Sequence, residues 1–407
     1  MRRWFSPFIL LCIVGFSARF GYQMARAPVL PRFADQLGAQ SWLIGLIVGA
    51  STITGVFIKF PAGSLSDILG RRRMLLIGSA FFAFPPFLYL FVNEPYTLLG
   101  IRFLHGLATA IFSPVASAAV ADIFQKGRGE KLGWFASSSE FGSAFGPLLG
   151  GVILASIVGG DLTKFRIVYL LVGALGIITF LLALRLPIGA QLSKSSPSPN
   201  RLKQLKSGMW EVVSNRNILV ASSAESAMFL AVGALAGFLP LYARNIVGLG
   251  DAYVGLLIWV PLVMAMAGKP FTGRISDRIG RKSVIMVGLA LCAITLPLIP
   301  MTTNLGGLIL EGAVFGLGMS IVTPSTTALV TDLCKAGNYG AALGVFGTIW
   351  DVGEASGPIL AGILIGAFGN VDSASAYRAA FLIIVGVLIA VAGGFYLMVT
   401  EPKLKAD

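Results

Sequence analysis

The chain has 407 residues, of which 56% are hydrophobic and only 12% are charged, and its formal net charge is +13. This composition is too apolar for an ordinary soluble protein. The positive charge alone would fit a nucleic-acid-binding protein, but the basic residues follow the connections between apolar runs and form no separate basic region, which excludes that function class.

Twelve apolar runs have the length of a membrane-spanning helix, because the bilayer core takes about 20 helical residues. In chain order, the predicted spans are 6–29, 42–62, 74–92, 97–119, 134–157, 167–187, 217–241, 252–271, 284–302, 305–329, 342–366 and 377–399. The first span follows "MRRWF" without a small-residue cleavage site, so we expect it to be retained as a helix.

The basic residues are unequally divided between the two sides of the predicted membrane. If the N-terminus is cytoplasmic, the residues on the opposite side are Arg32, Lys164, Arg166, Arg244 and Arg378. Most other Lys and Arg residues then lie in the cytoplasm, and this positive-inside distribution places both termini there. The chain has no Asn-x-Ser/Thr acceptor, which fits a cell inner membrane.

Two halves flank a polar, Ser/Pro-rich stretch, which predicts a bundle over 1–188, a cytoplasmic linker over 189–216 and a second bundle over 217–407.

The halves repeat each other. "GSLSDILGRRR" begins at Gly63 and "GRISDRIGRKS" begins at Gly273, 210 residues later. The same offset relates further pairs: Lys59 and Lys269, Asp67 and Asp277, Pro114 and Pro324, Asp122 and Asp332. Such parallel repeats are typical of secondary transporters. We therefore predict an all-α membrane protein with 12 transmembrane helices in two pseudo-symmetric six-helix bundles.

Charged residues inside the spans are costly in hydrocarbon and are usually functional or paired. Spans 3, 6, 9 and 12 carry none in their interiors, so we expect these four to face lipid. The others carry Arg19, Arg26, Lys59, Arg102, Glu140, Glu225, Lys269, Glu311, Asp351 and Glu354. Glu140, Glu225 and Glu311 are candidate proton carriers, because a carboxylate in a low-dielectric site can bind and release protons.

Basic residues of the first half are candidates for the substrate cavity. Arg19 lies near the middle of span 1, where it could bind an anionic or zwitterionic substrate or neutralise Glu225. Arg26 lies on the same span. His105 is the single histidine of the chain, although a lone histidine in a helix is more often packed or hydrogen-bonded than a proton carrier.

The repeat predicts two mirrored charge pairs, Lys59 with Asp351 or Glu354 and Lys269 with Glu140, which close the cytoplasmic side and separate when it opens. Reversing the charges of Lys59 and Asp351 together is expected to restore the transport that each single reversal abolishes. Transport by reconstituted protein measures this effect. A double variant no more active than the singles would contradict the pairing.

The repeated sequence "GSLSDILGRRR" resembles the loop signature between helices 2 and 3 of the major facilitator superfamily, and the resemblance extends over essentially the whole chain. The first copy departs at Ile68, where the family has a basic residue, and the second copy ends in Ser283. In physical terms, Gly63 and Gly70 allow close backbone approach and a tight turn. Asp67 can cap a helix or pair with the arginines. We assign four residues of these loops to the cytoplasmic gate: Asp67, Arg71, Asp277 and Arg281.

"RFLHG", from Arg102 to Gly106, resembles the helix 4 signature of the same family, Arg-x-x-Gln/His-Gly. The resemblance implies that Arg102 tunes proton transfer. The second half has Gly312 at the corresponding position, so this feature is not repeated.

Helix 5 carries a glycine pattern that matches the signature of the family's 12-helix drug–proton antiporters, which implies export. Small residues let helix backbones touch, and a proline bends the helix. A near copy lies in helix 11, so inherited packing is the alternative explanation of the motif, and we favour export. The residues of this helix-packing motif are Gly142, Gly146, Pro147, Gly150, Gly357 and Pro358.

These observations predict a monomeric secondary transporter that exports small amphipathic compounds against protons by alternating access in the bilayer. The alternative is a proton-coupled symporter or exchanger of a small anionic metabolite, with Arg19, Arg26 and Arg102 as substrate ligands. A non-transporting sensor is disfavoured by the short loops. The sequence has no nucleophile–base set, metal-ligand cluster or ATP-binding loop. We therefore expect no enzyme activity, cofactor or metal, and a proton gradient as the energy source.

Overall fold

The computed structural model describes residues 6–124, 126–158, 162–186, 210, 214–334 and 339–399, except for the side chains of 339–342. The described residues form helices and no strand. In the first half these are α1 (Pro7–Arg26), α2 (Leu30–Gln36), α3 (Ser41–Leu69), α4 (Arg71–Ala83), α5 (Pro85–Leu88), α6 (Pro95–Ile123), α7 (Arg128–Ser156) and α8 (Thr163–Leu184). In the second half they are α9 (Arg216–Leu241), α10 (Asp251–Ile279), α11 (Arg281–Thr295), α12 (Leu305–Leu333), α13 (Tyr339–Phe368) and α14 (Ala374–Met398).

The helices form two compact units. The first contains the helices of the first half together with residues 250–256, and the second contains the remainder of the second half. Most of the predicted linker, 189–216, lies outside the described residues. Within the first unit α1 packs against α7 and α8, and α4 packs against α6. Within the second, α9 packs against α13 and α14, and α11 against α12. The two units thus repeat one packing scheme, as the sequence repeat predicted.

Eleven of the described helical segments are long and apolar enough to cross a membrane. The predicted fifth span, 134–157, lies in α7, which has 29 residues but is not among the eleven. Its polar residues, which include Lys131, Glu140 and a run of serines, lower its mean hydropathy. The chain is a multi-pass membrane protein.

The repeated segment at Gly63 is helical, and only its turn departs from the helix. We expected a loop after span 42–62, but α3 continues to Leu69 and α4 begins at Arg71. Gly70 alone makes the turn, with φ of +91°, and Gly280 does so in the second copy, with φ of +109°. Glycine adopts positive φ without steric conflict. The expectation was wrong because bilayer thickness limits only the apolar part of a helix, and a polar continuation can extend beyond it.

Candidate functional site

Arg102 lies in the interior of the first unit, where its side chain is only 1% exposed. Its Nη2 donates a hydrogen bond of 2.9 Å to Ser51 Oγ, and its guanidinium lies 4.9 Å from the ring centre of Tyr22. Among the described residues, no carboxylate forms an ion pair with it. A buried charge without a counter-ion is unfavourable, and the ring face and the hydroxyl dipole offset part of that penalty.

His105 lies three residues further along α6 and packs between aromatic rings. The ring of Tyr22 meets it edge-on at 4.9 Å, and the hydroxyl of Tyr89 lies 3.3 Å from its Nδ1. Tyr89 in turn stacks on Tyr169, with ring centres 3.8 Å apart. The sequence reasoning missed these three tyrosines. The sequence signal that could have identified them is a tyrosine inside an apolar span. Tyr22 also lies between Arg19 and Arg26 in the sequence.

Arg19 and Arg26 link α1 to its neighbours through hydroxyl groups. Arg19 Nε donates to Ser143 Oγ on α7 at 3.0 Å. Arg26 Nη2 donates to Thr52 Oγ1 on α3 at 3.1 Å. Both side chains are half-buried. Together with Arg102, they make the interior of the first unit basic.

Glu225 occupies the interior of the second unit, where it is 2% exposed on α9. Its Oε2 accepts a hydrogen bond from the hydroxyl of Thr326 on α12. Lys269 of α10 lies close enough for its charge to act on the carboxyl group. The sequence reasoning did not single out Thr326, although it belongs to the hydroxyl-rich run "TPSTT" that begins at Thr323.

The other two candidate proton carriers lie in different surroundings. Glu311 is half-buried near the start of α12, where its Oε1 accepts from the hydroxyl of Thr302. Tyr242 donates to the carbonyl oxygen of Thr302 at 3.0 Å. Glu140 is exposed on α7. Of the three carboxyl groups, Glu225 alone is fully enclosed.

The two repeated turns each hold an arginine between two aspartates. Arg71 forms ion pairs with Asp67 and with Asp122, the latter at 2.8 Å from Nε to Oδ2. Its Nη1 also donates to Ser66. The arginine thus ties the end of α3 to the end of α6. The sequence repeat had identified Asp122 but had given it no partner.

In the second unit, Arg281 forms the same set of ion pairs, with Asp277 and with Asp332, the latter at 3.3 Å. The structure therefore brings the predicted residues of each turn together, within each unit separately. The remaining residues assigned to the gate are buried or half-buried: Lys59, Lys269, Asp351 and Glu354.

The glycine motif of α7 faces the backbone of α1. A Cβ atom at Gly146 would lie 2.7 Å from the carbonyl oxygen of Phe20, and one at Gly150 would overlap the carbonyl oxygen of Met24. On α13, Gly357 meets the carbonyl oxygen of Leu230 in the same way. Gly142 likewise faces Phe16, and Pro147 and Pro358 lie inside their helices. Only glycine permits these backbone contacts.

Known transporters resemble this chain along nearly its whole length. An uncharacterized MFS-type transporter of Methanocaldococcus jannaschii is 26% identical over 387 residues, which are 95% of each chain. The multidrug resistance protein MdtG of Klebsiella pneumoniae is 26% identical over 93% of this chain and 90% of its own. The staphyloferrin B transporter of Staphylococcus aureus is 27% identical over 98% of this chain and 93% of its own.

Solved structures share the fold at low sequence identity. The nucleoside transporter NupG superposes with a TM-score of 0.81 at 14% identity and covers 99% of this chain and all of its own. A bacterial homolog of the human lysosomal transporter Spinster superposes with a TM-score of 0.79 at 15% identity, covering 96% of each chain. The sequence profile of the Major Facilitator Superfamily matches residues 11–268 and 223–407. The chain is a transporter that belongs to the Major Facilitator Superfamily.

Proposed function

We propose that this transporter exports small amphipathic compounds in exchange for protons, with Glu225 as the proton carrier. The observation that carries the proposal is the enclosed carboxyl group of Glu225 on a membrane helix, 2% exposed and hydrogen-bonded to a hydroxyl. Intramembrane carboxyl groups of this kind recur in the proton relays of transporters. Protonation removes the charge of Glu225, and a neutral side chain favours a different packing of its surroundings.

Two observations support the proposed direction of transport, the glycine motif and the names of the relatives. The motif of α7 matches the antiporter signature and makes the backbone contacts described above. Relatives named as multidrug resistance proteins match across most of the chain. We place the protein in the cell inner membrane as a monomer with both termini in the cytoplasm, in accordance with the distribution of Lys and Arg.

In this scheme the other candidate residues have secondary roles. The ion-pair networks of Arg71 and Arg281 hold the cytoplasmic ends of helices within each unit. Arg102 modulates proton transfer, and Glu311 and Glu140, which are less buried than Glu225, are secondary proton-exchange groups.

The second candidate is proton-coupled transport of a small anionic metabolite. The buried guanidinium of Arg102 favours it, because its Nε has no hydrogen-bond partner in the described structure. An anionic substrate would supply the missing acceptor and the missing counter-charge. The relative named as a transporter of staphyloferrin B is compatible with this alternative.

Proton flux in liposomes distinguishes the two candidates. Purified protein is reconstituted in liposomes that contain a pH-sensitive dye and have an acidic interior. Lipophilic cations and organic anions are then added in turn. We expect a lipophilic cation to discharge the gradient. If only anions move, and Arg19→Ala or Arg102→Gln stops them, the metabolite candidate replaces the exporter.

A further inference from the structure

We propose that the Thr326 hydroxyl is a two-position partner that keeps Glu225 hydrogen-bonded both with and without its proton. This inference rests on the proposed role of Glu225 and assigns Thr326 as its positioning residue. Glu225 and Thr326 are 101 residues apart in the sequence, and both are buried.

The Thr326 hydroxyl has one proton and three acceptors within reach. Besides Glu225 Oε2, these are the carbonyl oxygens of Val322 at 2.9 Å and Thr323 at 3.2 Å. A hydroxyl donates one hydrogen bond and accepts through two lone pairs. Thr326 can therefore donate to only one of the three at a time.

The protonation state of Glu225 decides which acceptor is used. An ionised carboxylate only accepts, and it is the strongest acceptor of the three, so Thr326 donates to it. When Glu225 gains a proton, its carboxyl O–H becomes a donor and requires an acceptor. The Thr326 oxygen provides one if its own proton turns to the Val322 carbonyl. The proton comes from water, and its uptake forms the O–H bond of Glu225 without breaking a covalent bond of the protein. The hydroxyl of Thr326 rotates, so that its donation to Glu225 is replaced by donation to the Val322 carbonyl.

The first unit lacks this pair, although its packing is equivalent. Gly146 contacts Phe20 O and Gly357 contacts Leu230 O, so residues of α1 correspond to residues of α9 that are 210 positions later. Glu225 thus corresponds to Gly15. A Cβ atom at Gly15 would lie 2.8 Å from Phe135 Cε2, which leaves no room for a carboxyl group.

By the same offset, Thr326 on α12 corresponds to Ala116 on α6. The first unit therefore has neither the acid nor the hydroxyl at these positions. The pair is a property of the second unit and is not explained by packing that the two halves share.

Charged groups on the helices around α9 contribute to the electrostatic environment of Glu225. Lys269 on α10 lies within electrostatic range of the carboxyl group. Three further helices pack against α9. They are α12 with Glu311 and Asp332, α13 with Asp351 and Glu354, and α14 with Arg378, which donates to the carbonyl oxygen of Pro300. The neighbouring α11 carries Arg281 and Lys282 at its beginning. Because Thr326→Val changes none of these charges, its effect isolates the hydroxyl.

Infrared titration of the purified protein tests the inference without any transport. The carbonyl band of protonated Glu225 is assigned by its loss in Glu225→Gln. In Thr326→Val, we expect this band to move to higher frequency, because the carboxyl O–H loses the Thr326 oxygen as its acceptor, while the Thr323 hydroxyl near Glu225 is unchanged. The pH at which half of the band is present should rise by about one unit, because the ionised form loses a charge-assisted donor. Thr326→Ser should restore both values.

Thr327→Val is the matched control. The Thr327 hydroxyl lies next in sequence on the same helix but bonds only to the carbonyl oxygen of Thr323 at 2.8 Å, so its loss should leave the Glu225 band in place. An unchanged band and midpoint in Thr326→Val, in protein that remains folded, would overturn the inference. If the band shifts in Thr326→Val but the unmodified protein moves no protons in liposomes, the positioning role of Thr326 is supported and the proposed transport function is refuted.

Discussion

Replacing Glu225 by Gln is expected to abolish proton-driven efflux, so that transport falls to the level of empty liposomes. Glutamine keeps the shape of the side chain and can still accept the hydrogen bond from Thr326, but it binds no proton. The cycle would then lose its coupling step while substrate binding remains. Exchange of labelled for unlabelled substrate without a proton gradient should therefore persist. Paired flux and exchange assays on the same preparation measure the difference.

Glu94→Gln provides the control for this prediction. Glu94 also accepts a hydrogen bond from a threonine hydroxyl, that of Thr97 at 2.7 Å, but both side chains are exposed. Both pairs are hydrogen bonds from a threonine hydroxyl to a glutamate carboxylate, but the Glu94 pair is exposed and the Glu225 pair is buried. Glu94→Gln should therefore transport normally. Full proton-driven efflux by Glu225→Gln would exclude Glu225 as the carrier.

Replacing Gly150 by Leu is expected to destabilise the first unit and to remove transport with it. Even a single Cβ at this position would overlap the carbonyl oxygen of Met24 on α1, and the γ-carbon of Pro28 lies 3.1 Å away. Overpacking of a close contact typically costs about 1–3 kcal/mol, and here a backbone atom rather than a flexible side chain would have to move. The unfolding temperature in detergent and the yield of monodisperse protein measure the effect.

Gly133→Leu is the corresponding control on the same helix. Gly133 lies on α7 before the motif, and apart from its chain neighbours and the nearby backbone of α7, no heavy atom lies within 4 Å of its Cβ position. The same substitution should therefore leave the unfolding temperature nearly unchanged. If both variants were equally stable, close helix packing would not be the function of the motif.

The candidate site was predictable as a set of charged residues but not as a set of contacts. Arg102 and Glu225 were identifiable because a charge inside an apolar run is conspicuous in the sequence. Their partners Tyr22 and Thr326 were not, since an aromatic or hydroxyl residue is common in membrane helices. The partners become significant only when another helix brings a charge next to them.

The sequence by itself determined eleven of the twelve predicted membrane spans, the duplication and the glycine at which the first repeated segment turns. These are local properties, because hydropathy over about 20 residues decides whether a helix can cross a bilayer, and glycine at a positive φ decides where the chain can turn. Only the tertiary structure decided which buried charge meets which hydroxyl. Contacts such as that between Glu225 and Thr326 depend on how helices distant in sequence are rotated and packed, and small differences in side-chain volume along each interface set that rotation.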